Sequence, residues 1–517
     1  MNLGQVARLL AGFTGFFTLA QLPPFVVAFA EDNTTRTSAI SGFVASLGIG
    51  SLVSFLLWRA GRNERGEVFR KEAIAVAGLA WFLAGVLGAI PFQWSGLLPN
   101  PIDAVFETVS GLTTTGASVL GCDSTPPIPD TLPSLLLWRA LLQWIGGIGI
   151  ILVFVALLPA MGVTGKNLMS GESVGVATES FQPRAIEKAR LIATIYVVLT
   201  MACTGLLVLI GGYGWFDAVC HAFTALATGG FSTRASIQDF DSLGGEIVLT
   251  TFMFLAGTSF AFLAAHWRQG WRSLPALVRS GEFRMYSLST VVVIGACTMA
   301  LLRSGVGLAE SLRQASFNGV SVLTSTGYAT RDFQAWPALA TLTLVAAMVV
   351  GGCTGSTAGG FKQVRLLVIF KLVGYTLRHF VRPKLIERIK LDNEVLPAAV
   401  ISSILAIVLL WGLTIGAGAL LIAMDARMDF VSALSASATM VGNCGPAMTQ
   451  VDPGSLAAAI HEGQRSIPLA NATHIGPFGG FGDLQDWTKL VMILQMLLGR
   501  LELLTVLALF TPSFWRR

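Results

Sequence analysis

The chain has 517 residues, 53% of them hydrophobic and only 12% charged, against about 25% charged in soluble globular proteins. With a mean hydropathy of +0.69, this is the composition of an integral membrane protein. The formal net charge of +5 and the pI near 9.0 do not call for nucleic acid, because basic residues collect in the cytoplasmic loops of membrane proteins.

Measured against the roughly 20 apolar residues that a spanning helix needs, the sequence predicts ten crossings. They lie near 4–30, 37–58, 73–94, 132–160, 189–212, 244–266, 284–303, 336–379, 395–424 and 487–512. The first run ends in Ala28-Phe29-Ala30, which resembles a signal-peptidase site. It is longer than the roughly 7 to 15 residues of a signal core and is interrupted by Pro23-Pro24, so a retained helix is expected. Four apolar segments are too short to cross and suit re-entrant half-helices: Pro101–Leu112, Trp215–Leu226, Leu308–Leu323 and Met428–Met440.

Each half-helix runs into a small polar turn closed by glycine. The turns are Thr113-Thr114-Thr115-Gly116, Ala227-Thr228-Gly229-Gly230, Thr324-Ser325-Thr326-Gly327 and Gly442-Asn443-Cys444-Gly445. A unit of helix, half-helix, loop and helix thus recurs four times. The division expected is an N-terminal hairpin over 1–60 and repeats over 61–165, 166–270, 271–390 and 391–517. Equal spacing of Asp103 from Gly116 and of Asp217 from Gly230 favours Gly230 over Gly229 as the second closing glycine. Lysine and arginine gather after the even-numbered crossings, as in Arg59, Arg62, Arg65, Arg70 and Lys71, and at Arg516-Arg517. Both termini are therefore expected in the cytoplasm, with every loop entered from outside. Four parallel repeats imply a pseudo-fourfold axis along the membrane normal.

Non-helical backbone survives at membrane depth only where protein or a water-filled pathway satisfies it. Four such loops around one axis would present a ring of carbonyl oxygens able to replace a cation's hydration shell. Glycine suits that ring because it reaches backbone angles closed to other residues. Thr114, Thr115, Thr228, Ser325, Thr326, Asn443 and Cys444 complete the candidate lining, and each half-helix would direct the negative end of its dipole at the centre. The alternative is close helix packing through small residues. Glu107 and His221, on the first two half-helices, are expected to be satisfied structural groups.

The eighth crossing contains Gly351-Gly352-Cys353-Thr354-Gly355-Ser356-Thr357-Ala358-Gly359-Gly360-Phe361-Lys362. Each glycine costs about 0.8–1 kcal/mol against alanine in a helix, so a break into a loop is expected, with GxxxG packing as the alternative. Arg500 sits within the last apolar run, where an arginine costs roughly 2.5–3.5 kcal/mol at mid-membrane. It must face a pathway or an acidic partner such as Glu502. The six cysteines (Cys122, Cys203, Cys220, Cys297, Cys353 and Cys444) show no CxxC or CxxH spacing, so neither a disulfide framework nor a zinc site is indicated. His461 and His474, in the long outer loop, carry no metal signature.

The four loops, the 351–362 stretch and the closing segment from Gly499-Arg500-Leu501-Glu502 to Phe510-Thr511-Pro512-Ser513-Phe514-Trp515-Arg516 together resemble the Trk/Ktr/HKT potassium transporter superfamily, specifically the TrkH type. The resemblance implies that Gly116, Gly230 (or Gly229), Gly327 and Gly445 govern selectivity for potassium. It implies that 351–360 with Lys362 and Arg500 form an intramembrane gate. It further implies a homodimer in the bacterial inner membrane on a cytoplasmic TrkA-like ring that binds the regulatory nucleotide, with no cofactor in this chain. The basic inner loops at 161–190 and 376–390 are candidate docking surfaces for the ring. The loops depart from the TVGYG signature of potassium channels, especially at Asn443-Cys444-Gly445-Pro446, so a less tightly coordinated filter is expected. The nearest rival is a sodium- or proton-coupled potassium symporter of the same fold. An enzyme is disfavoured, since no nucleophile, paired-carboxylate or metal constellation is present in the sequence.

Overall fold

In the computed structural model, the residues described are 1–64, 70–122, 125–157, 181–384, 388–392, 394–449 and 474–515. The inner loop at 161–180, His461 and Arg516-Arg517 lie outside them. Helices α1 (Leu3–Leu19), α2 (Leu22–Ala28) and α3 (Asn33–Gly61) form the N-terminal hairpin. Then follow α4 (Arg70–Trp94), α5 (Pro101–Leu112) and α6 (Pro133–Leu157), and next α7 (Phe181–Leu209), α8 (Trp215–Leu226), α9 (Leu243–Ala256), α10 (Phe260–Gln269) and α11 (Leu274–Arg279). The third group is α12 (Gly281–Arg303), α13 (Leu308–Leu323), α14 (Ala338–Val350) and α15 (Gln363–Val381). The last is α16 (Ala398–Ile422), α17 (Phe430–Gly442), α18 (Asp486–Arg500), α19 (Leu503–Leu509) and α20 (Pro512–Trp515). A two-residue antiparallel pair, Lys390–Leu391 with Glu394–Val395, lies between α15 and α16.

The short helices α5, α8 and α13 occupy the segments expected of half-helices, and α17 starts and ends two residues later than Met428–Met440. Local chemistry sets their starts. Asn100 accepts from the Ile102 amide at 2.9 Å ahead of Pro101, and Asp429 accepts from the Ser432 amide at 2.9 Å, both N-caps that satisfy orphan donors.

Among the described residues, seven of the expected crossings are apolar and long enough to span. The other three are broken. The eighth opens at 351–362, as the glycine content requires. The sixth, expected to be continuous over 244–266, instead turns by 96° between α9 and α10. Its freed carbonyls are not orphaned: Ala256 and Gly257 accept from the amides of Thr357 and Cys353, at 3.3 and 2.9 Å. The tenth breaks after Arg500, where Glu502 adopts a left-handed φ of 63°.

Packing follows a cycle. Within each unit the short helix packs on its flanking helices, and across units α6 packs on α8, α9 on α13, α14 on α17, and α18 on α5. Gly146 and Gly499 are set against the carbonyls of Leu112 and Val441, where any Cβ would collide. With lipid as solvent, such small-residue contacts supply the packing that holds helices together. The N-terminal hairpin lies outside this cycle, on α4 and α6.

Candidate ion pathway

The four loops share one backbone design. The amide of the third loop residue turns back to the short helix in every copy. Thr115 donates to the carbonyl of Ser110 at 2.9 Å, Gly229 to Thr224 at 2.8 Å, Thr326 to Ser321 at 2.8 Å and Cys444 to Thr439 at 2.9 Å. The residue before it is left-handed without being glycine: Thr114, Thr228, Ser325 and Asn443 have φ of 52°, 52°, 56° and 52°. Non-glycine residues persist there only where the surroundings over-determine them, at about 1–3 kcal/mol each. This register aligns Gly230, not Gly229, with Gly116 and Gly327, and those three have φ of 81°, 81° and 85°. Gly445 departs, lacking a positive φ; Pro446 follows it and packs toward Gly327.

The loops meet in a closed ring. A Cβ on Gly116 would run into the Gly229 carbonyl oxygen, and one on Gly230 into that of Thr326. A Cβ on Gly327 would lie 2.9 Å from Pro446 Cδ, and one on Gly445 would lie 2.6 Å from the Gly116 carbonyl carbon. First loop abuts second, second third, third fourth, and fourth first.

Polar side chains brace the ring from behind. Gln143 of α6 donates to the Gly229 carbonyl at 2.8 Å and accepts from the Phe231 amide at 3.1 Å. Asn443 donates to Thr115 Oγ1 at 3.1 Å and to the Met496 carbonyl at 2.9 Å. Each short helix also clamps the chain leaving its loop. Glu107 accepts from the Ser118 hydroxyl and the Val119 amide, His221 bonds the Ser232 hydroxyl at 3.0 Å, Asn318 holds Thr330 through both its amide and hydroxyl, and Ser435 bonds the Met448 amide and carbonyl. Glu107 is paired with Arg139 at 2.7 Å, both side chains almost wholly buried, and Arg139 also reaches the Ser232 carbonyl and stacks over Phe231. Glu107 and His221 are thus satisfied structural groups. Asn318 and Ser435 play the same part but differ in residue type, which hid them in the sequence.

Directly beneath lies the 351–362 loop. Its far side docks on the broken sixth crossing, through the bonds of Cys353 and Thr357 already described and through the Phe260 amide donating to Gly355 at 3.0 Å. The Thr354 amide donates to Glu282 of α12 at 2.5 Å, a contact that nothing in the sequence pattern announced. Gly351, Gly355, Gly360 and Lys362 all have positive φ. Gln363 closes the loop on itself by bonding Gly351 and Gly352 at 2.8 and 3.1 Å, Ser356 bonds the Cys353 carbonyl at 2.6 Å, and Lys362 Nζ donates to Ala358. The near side touches the loop ring, where Gly359 donates to Ser325 Oγ at 2.6 Å and Gly360 to the Gly442 carbonyl at 2.9 Å.

Arg500, 4% exposed, donates to the Thr357 carbonyl at 2.8 Å and to the Gly146 carbonyl at 3.5 Å. Glu502 is not its partner but pairs with Arg365 at 2.6 Å. The 351–362 loop is therefore reached by α9–α10, its own α14–α15 and α17–α18, and Arg500 links it in turn to Gly146 of α6.

A family model described as a cation transport protein, TrkH, matches residues 50–459. This chain belongs to the TrkH family of cation transporters. It is 33% identical to the Trk system potassium uptake protein TrkH of Halomonas elongata, with all of both chains covered. The identity to the protein of the same name from Escherichia coli K12 is also 33% over the full length of both. The crystal structure of the potassium transporter TrkH from Vibrio parahaemolyticus superposes with a TM-score of 0.84 at 29% identity, again covering both chains entirely. The TrkH family is one of membrane transporters, not of enzymes, and its helical membrane fold is the one described here.

Proposed function

We propose that this chain is the potassium-conducting membrane subunit of an uptake system, a gated pore made within one polypeptide. In this reading the repeats run over 61–165, 166–270, 271–390 and 391–517, and Gly116, Gly230, Gly327 and Gly445 with Thr114, Thr115, Thr228, Gly229, Ser325, Thr326, Asn443 and Cys444 form the selectivity filter. Residues 351–360 with Lys362 and Arg500 act as the gate. The observation that carries this reading is the closed ring, since each closing glycine abuts the backbone of the next loop in the order one, two, three, four, one. The names of the full-length relatives supply the ion.

Potassium enters from outside, exchanges water for loop oxygens, and is stopped below by the buried loop and the Arg500 charge. Inward flow follows the membrane potential, worth about 2.3 kcal/mol per charge per 100 mV. The setting is the bacterial inner membrane, with ten crossings, cytoplasmic termini, a homodimeric assembly and a TrkA-like cytoplasmic ring that holds the regulatory nucleotide; this chain itself binds no cofactor beyond the transported ion.

The test replaces Gly116 with serine and compares potassium with sodium permeation in proteoliposomes. A fall in potassium preference is expected, because the new side chain meets both a left-handed backbone and the Gly229 carbonyl. Unchanged preference overturns the filter assignment.

A further inference from the structure

The left-handed residues of the four loops are not equivalent in what they bond. Thr114 Oγ1 and Asn443 Oδ1 are buried and have no hydrogen-bond partner among the described residues. Thr228 donates to the Ala227 carbonyl at 2.6 Å, within its own loop. Ser325 makes the matching bond to Thr324 at 2.6 Å, and in addition its Oγ accepts the Gly359 amide at 2.6 Å. That bond joins the loop ring to the 351–362 loop side chain to backbone. Beside it, a Cβ on Gly359 would collide with the Gly442 carbonyl and lie 2.9 Å from Asn443 Cβ, so the gating loop is fitted against the third and fourth loops with no space to spare.

We propose that the Ser325 hydroxyl couples the gate to the filter. Bonded to Gly359, it holds the loop seated and has a lone pair withdrawn from the pathway. When the loop leaves, that lone pair is released to an ion or water at the inner mouth, as at Thr114 and Asn443, so gate opening and completion of the inner filter site are one event. By linkage, an ion that favours the free oxygen favours the open loop to the same degree. Ser325 is a positioning residue for the gate, and this role rests on the pore reading above.

The experiment measures potassium flux into liposomes carrying the full chain without any cytoplasmic ring. Ser325→Ala removes the acceptor and leaves the Gly359 amide unmatched, so ring-independent flux rises roughly fivefold, the weight of about one net hydrogen bond, while the inner site loses one of its oxygens. Ser325→Thr keeps the hydroxyl on a residue type already tolerated at this angle in Thr114 and Thr228, and returns the flux to the wild-type level. Gly359→Ala, which displaces the loop from Gly442, raises flux to a similar level, and combining it with Ser325→Ala adds nothing. If Gly359→Ala raises flux and Ser325→Ala does not, or Ser325→Thr leaks as much as Ser325→Ala, the coupling through this hydroxyl is wrong and the pore reading stands. If no variant moves the flux and Gly116→Ser leaves selectivity untouched, the pore reading falls with it.

Discussion

Arg500 donates to the carbonyl of Thr357 at 2.8 Å, which fastens the broken end of the last crossing to the 351–362 loop. Its acidic neighbour in sequence, Glu502, itself left-handed between α18 and α19, pairs with Arg365 instead. The arginine is therefore a buried charge held by main-chain oxygens rather than by a carboxylate. On the proposed pathway, a charge in that position would both tie the loop and repel a passing cation, by about 4 kcal/mol if the two came within about 4 Å at an effective dielectric near 20.

Replacing Arg500 with methionine keeps the apolar stem and removes the charge and its bonds. Ring-independent rubidium uptake into proteoliposomes is expected to rise by about tenfold. Uptake equal to the wild type would show that the guanidinium neither bars the path nor holds the loop.

The two adjacent glycines of the second loop differ in physical demand. Gly230 has φ +81° and no room before the Thr326 carbonyl, whereas a Cβ on Gly229 meets the Gln143 side chain. Gly230→Ser should therefore lower the potassium-to-sodium permeability ratio further than Gly229→Ser, since backbone cannot yield as a glutamine can. Reversal flux assays under mixed ion gradients give the ratio; a larger loss at Gly229 would transfer the filter role to it.

Glu107 and Arg139 are paired at full burial, and breaking such a pair leaves an uncompensated charge at about 3–5 kcal/mol. Glu107→Gln should lower the detergent-solubilised melting temperature by several degrees, and Glu107→Gln with Arg139→Gln should recover part of it. Equal melting of the single and double variants would show that the charge balance contributes nothing.

Where sequence and structure agree, the agreement has a local cause. The starts of α5 and α17 are written in caps, Asn100-Pro101 and Asp429, and the loops in their closing glycines. Arg500 stood out because a charge inside an apolar run has few tolerable surroundings. What escaped notice depends on distant partners. Gly257-Thr258-Ser259 reads as ordinary small membrane residues, and it breaks the helix because the 351–362 loop takes over the freed carbonyls. Asn318 and Ser435 share a role with Glu107 and His221 but not a residue type or, for Ser435, a register. The left-handed Lys362 has no local signature, since its conformation is imposed by the bonds that Phe361 and Lys362 make back to Val349 and Val350.

Glu282 is the other residue that only the fold reveals. It stands in the first turn of α12, and its carboxylate takes the Thr354 amide at 2.5 Å, three residues before the Thr357 carbonyl that Arg500 bonds. The loop is thus bonded both by a carboxylate that accepts and by a guanidinium that donates. Glu282→Ala deprives the amide of its partner inside the protein, where an unmet donor costs about 1–3 kcal/mol, whereas Glu282→Gln keeps an acceptor oxygen in nearly the same place. Ring-independent potassium flux should rise by about tenfold for the alanine variant and by much less for the glutamine one. An equal rise in both would assign the effect to the charge instead of the hydrogen bond, and no rise in either would remove Glu282 from the gate.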